Sequence, residues 1–311
     1  MKILITGMTG FIGSKIAEQA TAQGMDVIGQ SRNSYHPNLS VKHCSIDEDT
    51  NWSECLCDVD YVVHCAAYVH QKKSQFSLER YQQVNTEGTL NLARQAAQNG
   101  VKRFIFVSSI KVNGEYTDEG KPFTTLLENT PDDPYGLSKF EAEKGLRLIA
   151  SNSGLDVVII RPPLVYGPGV KANFKTMMDW VYRKYPLPLG KIHNLRSFVF
   201  VDNLADLVMV VLFHHKAVNR TFLVSDDHDI SITTLLNLLA REMNIRAFLW
   251  SVPQACLVRC LKWFSKETIA QKLVYSLQLD ISSTKSVLGW RPKYTFEEGI
   301  KRTVQAYLNN K

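Results

Sequence analysis

Tyr135-Gly-Leu-Ser-Lys139 is the stretch of this chain best suited to moving a proton. Residues four apart on a helix share a face, so the Lys139 ammonium can lie near the Tyr135 phenol. A positive neighbour lowers a tyrosine pKa, bringing proton exchange toward neutral pH. Ser109, closing an apolar run that starts at Arg103, can bond the same substrate oxygen. Near the start of the chain, glycines at 7, 10 and 13 follow directly on Lys2-Ile-Leu-Ile-Thr6 and lead into a helical pattern. Gly7 permits a turn, Gly10 lets backbone approach a pyrophosphate, and Gly13 lets the helix pack closely on the strand. A diphosphate then sits where free N–H groups and the positive end of the helix dipole point. Singly these are a surface tyrosine, an exposed lysine, a strand-ending serine and a turn; together they describe a dinucleotide site with a proton-transfer group.

Such a site needs a scaffold, and the apolar periodicity supplies one. Strands are expected at Lys2–Thr6, Asp26–Gln30, Val41–Ser45, Tyr61–His64, Arg103–Ser108 and Asp156–Arg161, with helical patterns between them at Phe11–Gln23, Leu78–Asn99 and Gly136–Asn152. Alternation of this kind implies an α/β fold: a Rossmann-type doubly wound parallel sheet that binds ligands beyond the carboxyl ends of its strands. After Pro162 the chain turns loop-rich, with Pro-Pro-Leu-Val-Tyr-Gly-Pro-Gly and later Tyr-Pro-Leu-Pro-Leu-Gly190. Helical patterns at Phe174–Lys184, Leu204–Phe213, Thr233–Met243 and Phe296–Leu308 fill this part. The expected division is a dinucleotide-binding domain over 1–162 and a smaller, mainly substrate-binding C-terminal part over 163–311, with Ser197–Phe213 packing back on the sheet.

Composition narrows the class. The chain has 311 residues, 45% apolar and 21% charged, ordinary for a soluble globular protein with a sizeable core. Its net charge of +6 is spread without runs, which suits a diphosphate and argues against nucleic acid. No secretory signal or membrane-spanning stretch is read, so a cytoplasmic protein is expected. Cysteines 44, 55, 57, 65, 256 and 260 show no metal spacing, so free thiols and no metal site are expected.

These motifs, in order, resemble the extended short-chain dehydrogenase/reductase family, particularly its nucleotide-sugar 4-epimerases and 4-ketoreductases. The likeness runs through Thr6-Gly-Met-Thr-Gly-Phe-Ile-Gly13, His64-Cys-Ala-Ala67, Asn85–Leu92, Val107-Ser-Ser109, Tyr135–Lys139, Arg161–Pro168, Arg196–Ala205 and Leu288-Gly-Trp-Arg-Pro292, nearly the whole chain. The resemblance implies a catalytic triad of Ser109, Tyr135 and Lys139. It implies cofactor contacts from Gly7, Thr9, Gly10, Phe11, Ile12, Gly13, Ser31, Arg32, Ser45, Ile46, Ala66, Ala67 and Pro162, as well as Tyr135 and Lys139. It implies substrate contacts from Ser109, Lys111, Tyr135, Asn173 and Arg196, with Arg196 suited to a diphosphate by its paired donors. Asn85 is read equally as a ligand and as a structural residue.

Departures from the family pattern shape the expected reaction. The end of the second strand, where an acid excludes a 2′-phosphate, reads Gln30-Ser31-Arg32, which favours NADP(H) over NAD(H). The acid pair that a sugar dehydratase carries after the fifth strand is Ile110-Lys111 here, so that chemistry lacks its acid and base. The expected activity is NADPH-dependent reduction of a UDP-4-keto-6-deoxy-N-acetylhexosamine, serving surface-polysaccharide sugar synthesis. A UDP-glucose or UDP-N-acetylglucosamine 4-epimerase with retained NAD is the alternative, and a non-catalytic dinucleotide sensor a minor one. The expected partner is a UDP-sugar. Dimerisation is open, and Val252–Phe264 is read as core or dimer packing rather than a membrane-surface helix.

Overall fold

The computed structural model describes residues 1–32, 40–69, 75–263 and 273–311. Phe264, which ends the Val252–Phe264 stretch, lies outside the described residues. The first half alternates strand and helix: β1 (Lys2–Thr6), α1 (Phe11–Ala22), β2 (Asp26–Ser31), β3 (Ser40–His43), α2 (Ser53–Leu56), β4 (Tyr61–His64), α3 (Gln75–Tyr81), α4 (Gly88–Gln98), β5 (Arg103–Val107), α5 (Pro134–Ser153) and β6 (Asp156–Arg161). The single helical pattern over 78–99 is two helices, α3 and α4, joined by a π-helical turn at Gln82–Glu87. The second half holds β7 (Leu164–Tyr166), α6 (Ala172–Tyr182), β8 (Phe198–Phe200), α7 (Val201–Phe213), β9 (Thr221–Leu223), α8 (Ile232–Glu242), α9 (Gln254–Trp263), α10 (Ser282–Leu288) and α11 (Phe296–Asn309).

Seven described strands form one parallel sheet in the order β3-β2-β1-β4-β5-β6-β9. The chain reverses direction of travel between β1 and β4, which opens a crevice at their carboxyl ends. Alternation along each strand feeds two cores. Ile3, Ile5, Val63, Ile105, Val107, Val158 and Ile160 pack under α1 and α7; Leu4, Val62, Phe104, Phe106, Val157 and Ile159 pack under α4 and α5. A third cluster, built on Tyr166, Phe174, Phe198, Phe200, Leu236 and Phe296, holds α6, α8 and α11 around the small β7–β8 pair.

One feature went unread in the sequence: β9 extends the sheet with residues from beyond position 162. Helix α7, within the Ser197–Phe213 stretch read as packing on the sheet, covers one sheet face with Leu204, Leu207, Val208 and Val211. The apolar character of α9 is satisfied through Leu257, which is buried, and Val258, which is half-buried against the third cluster. Cys256 and Cys260 fall on the opposite face of α9 and are exposed. No helix among the described residues is long and apolar enough to cross a membrane.

Arg103, at the start of β5, ties α7 to the sheet. Its Nη1 donates to the carbonyls of Val211 at 2.7 Å, Leu212 at 3.0 Å and His214 at 3.1 Å, and its Nη2 pairs with Asp156 at 3.2 Å. These carbonyls end the helix, where intrahelical donors run out and the dipole favours a cation. Replacing Arg103 by Met leaves them buried without donors, and a loss of about 2–3 kcal/mol of unfolding free energy is expected in a urea titration. An unchanged midpoint would show that the cap contributes nothing.

Candidate active site

The glycine turn between β1 and α1 is shaped by contacts that tolerate no side chain. Gly7 has φ +65°, and a Cβ there would sit 2.9 Å from the Ala66 backbone at the end of β4. A Cβ on Gly13 would run into the Gly7 carbonyl oxygen, so this glycine serves the turn itself rather than the helix–strand packing its spacing suggested. Helix α1 has Gly10 at its N-cap, no side-chain capping bond and no acid in its first turn. Its opening amides therefore present an uncapped positive end, suited to an anion. Thr9 and Gly10 are exposed there, while Phe11 and Ile12 are half-buried beneath.

The neighbouring strand ends line the same crevice. Gly7 N donates to Gln30 Oε1 at 3.1 Å, and Gln30 Nε2 donates to Cys44 O at 2.6 Å, so a glutamine within β2 braces the turn against the segment after β3. Ser31 Oγ lies 3.1 Å from Thr9 Oγ1, and Arg32 follows, exposed. Ile46 is buried and abuts Gly88 at the start of α4, whereas the Ser45 hydroxyl donates to Asp47 at 2.6 Å instead of facing the crevice. Ala66 and Ala67 are half-buried beyond β4. Pro162, buried after β6, accepts from Ile110 N at 2.9 Å and so holds the turn that follows β5.

That turn starts at Ser109, whose hydroxyl accepts from Lys111 N as the cap of the short 3₁₀ helix Ile110–Val112. Helix α5 opens against it. A Cβ on Gly136 would lie 2.7 Å from Lys111 O, so the absence of a side chain lets the first turn of α5 press onto the Ser109 turn. Asp133 caps α5 by accepting from Gly136 N at 2.9 Å. Further locks come from the π-helical turn: Thr86 Oγ1 donates to Ser138 O at 2.9 Å and Asn85 Nδ2 to Ser138 Oγ at 3.1 Å. Asn85 also accepts from Tyr68 N at 2.7 Å and donates to Tyr68 O, and it is fully buried. Its amide is spent within the protein, which resolves its two readings toward structure.

Tyr135 and Lys139 stand one turn apart on α5 in unlike surroundings. Lys139 is 1% exposed; its ammonium donates to Val107 O at 3.1 Å and lies 4.4 Å from the centre of the Phe106 ring. Burial lowers its pKa to about 8, against the opposing pull of Cys65 and Glu143. Tyr135 is half-buried and meets the Tyr81 ring edge-on at 6.0 Å. Its pKa is pushed above the ordinary value, first by burial and then by Asp133 and Tyr81. The sequence argument expected the neighbouring ammonium to lower it; in the protein alone desolvation wins, and Lys139 is turned toward Val107 and Phe106.

Around this pair runs a buried network that spacing did not reveal. Glu143, one turn beyond Lys139, and Arg161, at the end of β6, are both fully buried and paired twice, Nε to Oε1 at 2.9 Å and Nη2 to Oε2 at 2.6 Å. Ser108 Oγ donates to the same carboxylate at 2.7 Å. Arg161 Nη1 donates to Asn113 Oδ1 at 3.0 Å and to Thr125 O at 3.2 Å. A polar residue in an apolar strand and a glutamate two turns into a helix were the only available signals.

The remaining expected substrate residues differ in setting. Lys111 is held between Glu115 at 3.0 Å and Asp133 at 3.1 Å, so its charge is already answered. Asn173 is exposed in the first turn of α6. Arg196 donates from Nη1 to Tyr275 O at 2.9 Å, pairs with no carboxylate among the described residues, and has its pKa lowered to about 10 by burial.

Comparison with known proteins places this geometry. The profile of the NAD dependent epimerase/dehydratase family matches residues 3–225. The chain is 46% identical over 313 residues to a UDP-glucose 4-epimerase of Vibrio cholerae, covering 98% of this chain and 95% of that one. It resembles the crystal structure of UDP-glucose 4-epimerase with UDP-glucose from Thermotoga maritima, with TM-score 0.79, 25% identity and coverage of 100% and 99%. It shares the fold of the UDP-glucuronic acid 4-epimerase of Bacillus cereus in complex with NAD, with TM-score 0.81, 20% identity and coverage of 99% of each chain. A crevice at the sheet reversal, an uncapped helix start and a family match over most of the chain agree: this protein is an enzyme of the NAD dependent epimerase/dehydratase family, within the extended short-chain dehydrogenase/reductases.

Proposed function

We propose that this enzyme inverts C4 of a UDP-hexose, UDP-glucose or UDP-N-acetylglucosamine, using a retained NAD. The observation that carries the reading is the pressing of the first turn of α5 onto the Ser109 turn, beside the glycine turn, in a chain 46% identical to a UDP-glucose 4-epimerase. This ranks epimerisation above the keto-sugar reduction that the second strand's end had favoured.

The residues fit a dinucleotide, because the Gly7–Gly13 turn is closed to side chains while the start of α1 lacks a cap. Gly10, Phe11, Ile12 and Gly13 would hold the diphosphate, Ser31 and Arg32 the adenosine ribose, Ile46 the adenine, and Ala66, Ala67, Lys139 and Pro162 the nicotinamide half. When bound, NAD supplies the acceptor and donor of hydride at C4. Tyr135 takes the C4 hydroxyl proton and later returns it, while Ser109 bonds the same oxygen. Burial raises the phenol, and the Lys139 ammonium together with a positive nicotinamide ring would favour the phenolate against it. Arg196, desolvated and without a carboxylate partner among the described residues, is suited to the UDP diphosphate. The sugar thus lies between the 1–162 part and the 163–311 part.

The second reading, reduction of a 4-keto sugar by NADPH, is favoured by one observation: Ser31 and Arg32 end β2 where an acid would repel a 2′-phosphate. Cofactor analysis of the purified protein separates the two, since tightly held NAD supports the epimerase and an empty site filled by NADPH the reductase. In the same assay Arg32→Ala should weaken NAD and NADPH about equally; a selective loss of NADPH binding would favour the reductase.

Tyr135→Phe should lower kcat by about 10²–10⁴-fold while bound NAD is retained; full turnover would remove the assigned proton carrier. The pH profile tests Lys139. Its ammonium is present below its lowered pKa and lost above it, so kcat/KM should fall as pH rises through about 8. A profile that stays level through the alkaline range would contradict the role given to that charge.

A further inference from the structure

We infer that Glu143, clamped by Arg161, is a positioning residue that fixes the Tyr135–Lys139 face of α5 against Ser109. This rests on the proposed proton-transfer set and adds to it the part that holds the set in register.

Three segments meet at the Glu143 carboxylate, and Arg161 carries the tie on to a fourth. Glu143 itself belongs to α5, one turn from Lys139 and two from Tyr135 on the same face. Ser108, the residue before Ser109, donates to it from the end of β5. Arg161 grips it from the end of β6 by two bonds and reaches on to Asn113 and Thr125 in the segment that follows the Ser109 turn. Rotation or sliding of α5 would break the paired bonds, whose planar fork accepts one orientation. A rotation that carried Tyr135 off the Ser109 oxygen is therefore resisted by a bond two turns away.

Stability alone does not account for such a pair. Withdrawing two charges from water costs about as much as their attraction returns, and apolar replacements are often neutral or stabilising. What apolar side chains lack is a fixed direction. The carboxylate also adds a negative charge near Lys139, which is otherwise faced by His64 at the end of β4 and Cys65 just after it.

The test compares Glu143→Met/Arg161→Met, which removes both charges together, with Ser108→Ala, which leaves the pair and cuts only its link to the Ser109 strand. Thermal midpoint, bound NAD, kcat and KM for UDP-glucose and UDP-N-acetylglucosamine are measured for each. The double variant should keep its midpoint and its NAD but lose about a hundredfold in kcat, with KM changed by less than about threefold; Ser108→Ala should lose about tenfold in kcat. Wild-type kcat in a folded double variant, or in Ser108→Ala if the double variant does not fold, overturns the inference. A wild-type protein that interconverts neither sugar overturns the proposed activity and this inference with it, whereas an active wild type with unchanged variants overturns the inference alone.

Discussion

One buried relay of hydrogen bonds joins the end of β1, beside the glycine turn, to α5. Ala66 N donates to Thr6 Oγ1 at 3.3 Å, and Thr6 Oγ1 lies 2.7 Å from His64 Nδ1. On the far side of the ring, His64 Nε2 lies 2.8 Å from Thr89 Oγ1, whose own proton goes to Asn85 O at 2.8 Å. Because Thr89 spends its proton on Asn85, Nε2 must donate and Nδ1 must accept from Thr6. Asn85 then passes to Ser138 on α5. Burial lowers the His64 pKa to about 3, so the ring stays neutral and the direction of the relay is fixed at any working pH.

The site above this relay combines two electrostatic settings that oppose one another. Burial disfavours both the charged lysine and the charged phenol, lowering Lys139 and raising Tyr135. A positive group entering beside the phenol helps one and hinders the other, so the pair responds to the redox state of whatever lies in the crevice.

The sequence made the parallel sheet and the proton pair legible because both are local. Apolar runs of five or six residues mark β1, β5 and β6, and a spacing of four marks Tyr135 and Lys139 on one helix face. What stayed hidden depends on partners distant along the chain. Gln30 looks like a polar interruption of β2 until the Gly7 amide is placed against it. Glu143 and Arg161 look like a surface acid and a strand-ending base until β6 lies beside α5. Lys111 looks like an unpartnered loop lysine until Asp133, far along the loop, is placed against it. The π-helical turn carries no periodic signal of its own, so 78–99 reads as one helix.

The placement of α7 has a bearing on how the polypeptide is made. Ile105, Val107, Val158 and Ile160 all face the helix that begins at Val201, and β9 pairs with β6 only after Thr221. A nascent chain that has left the ribosome as far as β6 therefore carries an open strand edge and a bare oily surface, and it stays so until roughly sixty further residues have emerged. Synthesis rate and chaperone capture during that interval would govern yield, and truncation soon after β6 would produce an aggregating fragment rather than a smaller nucleotide binder.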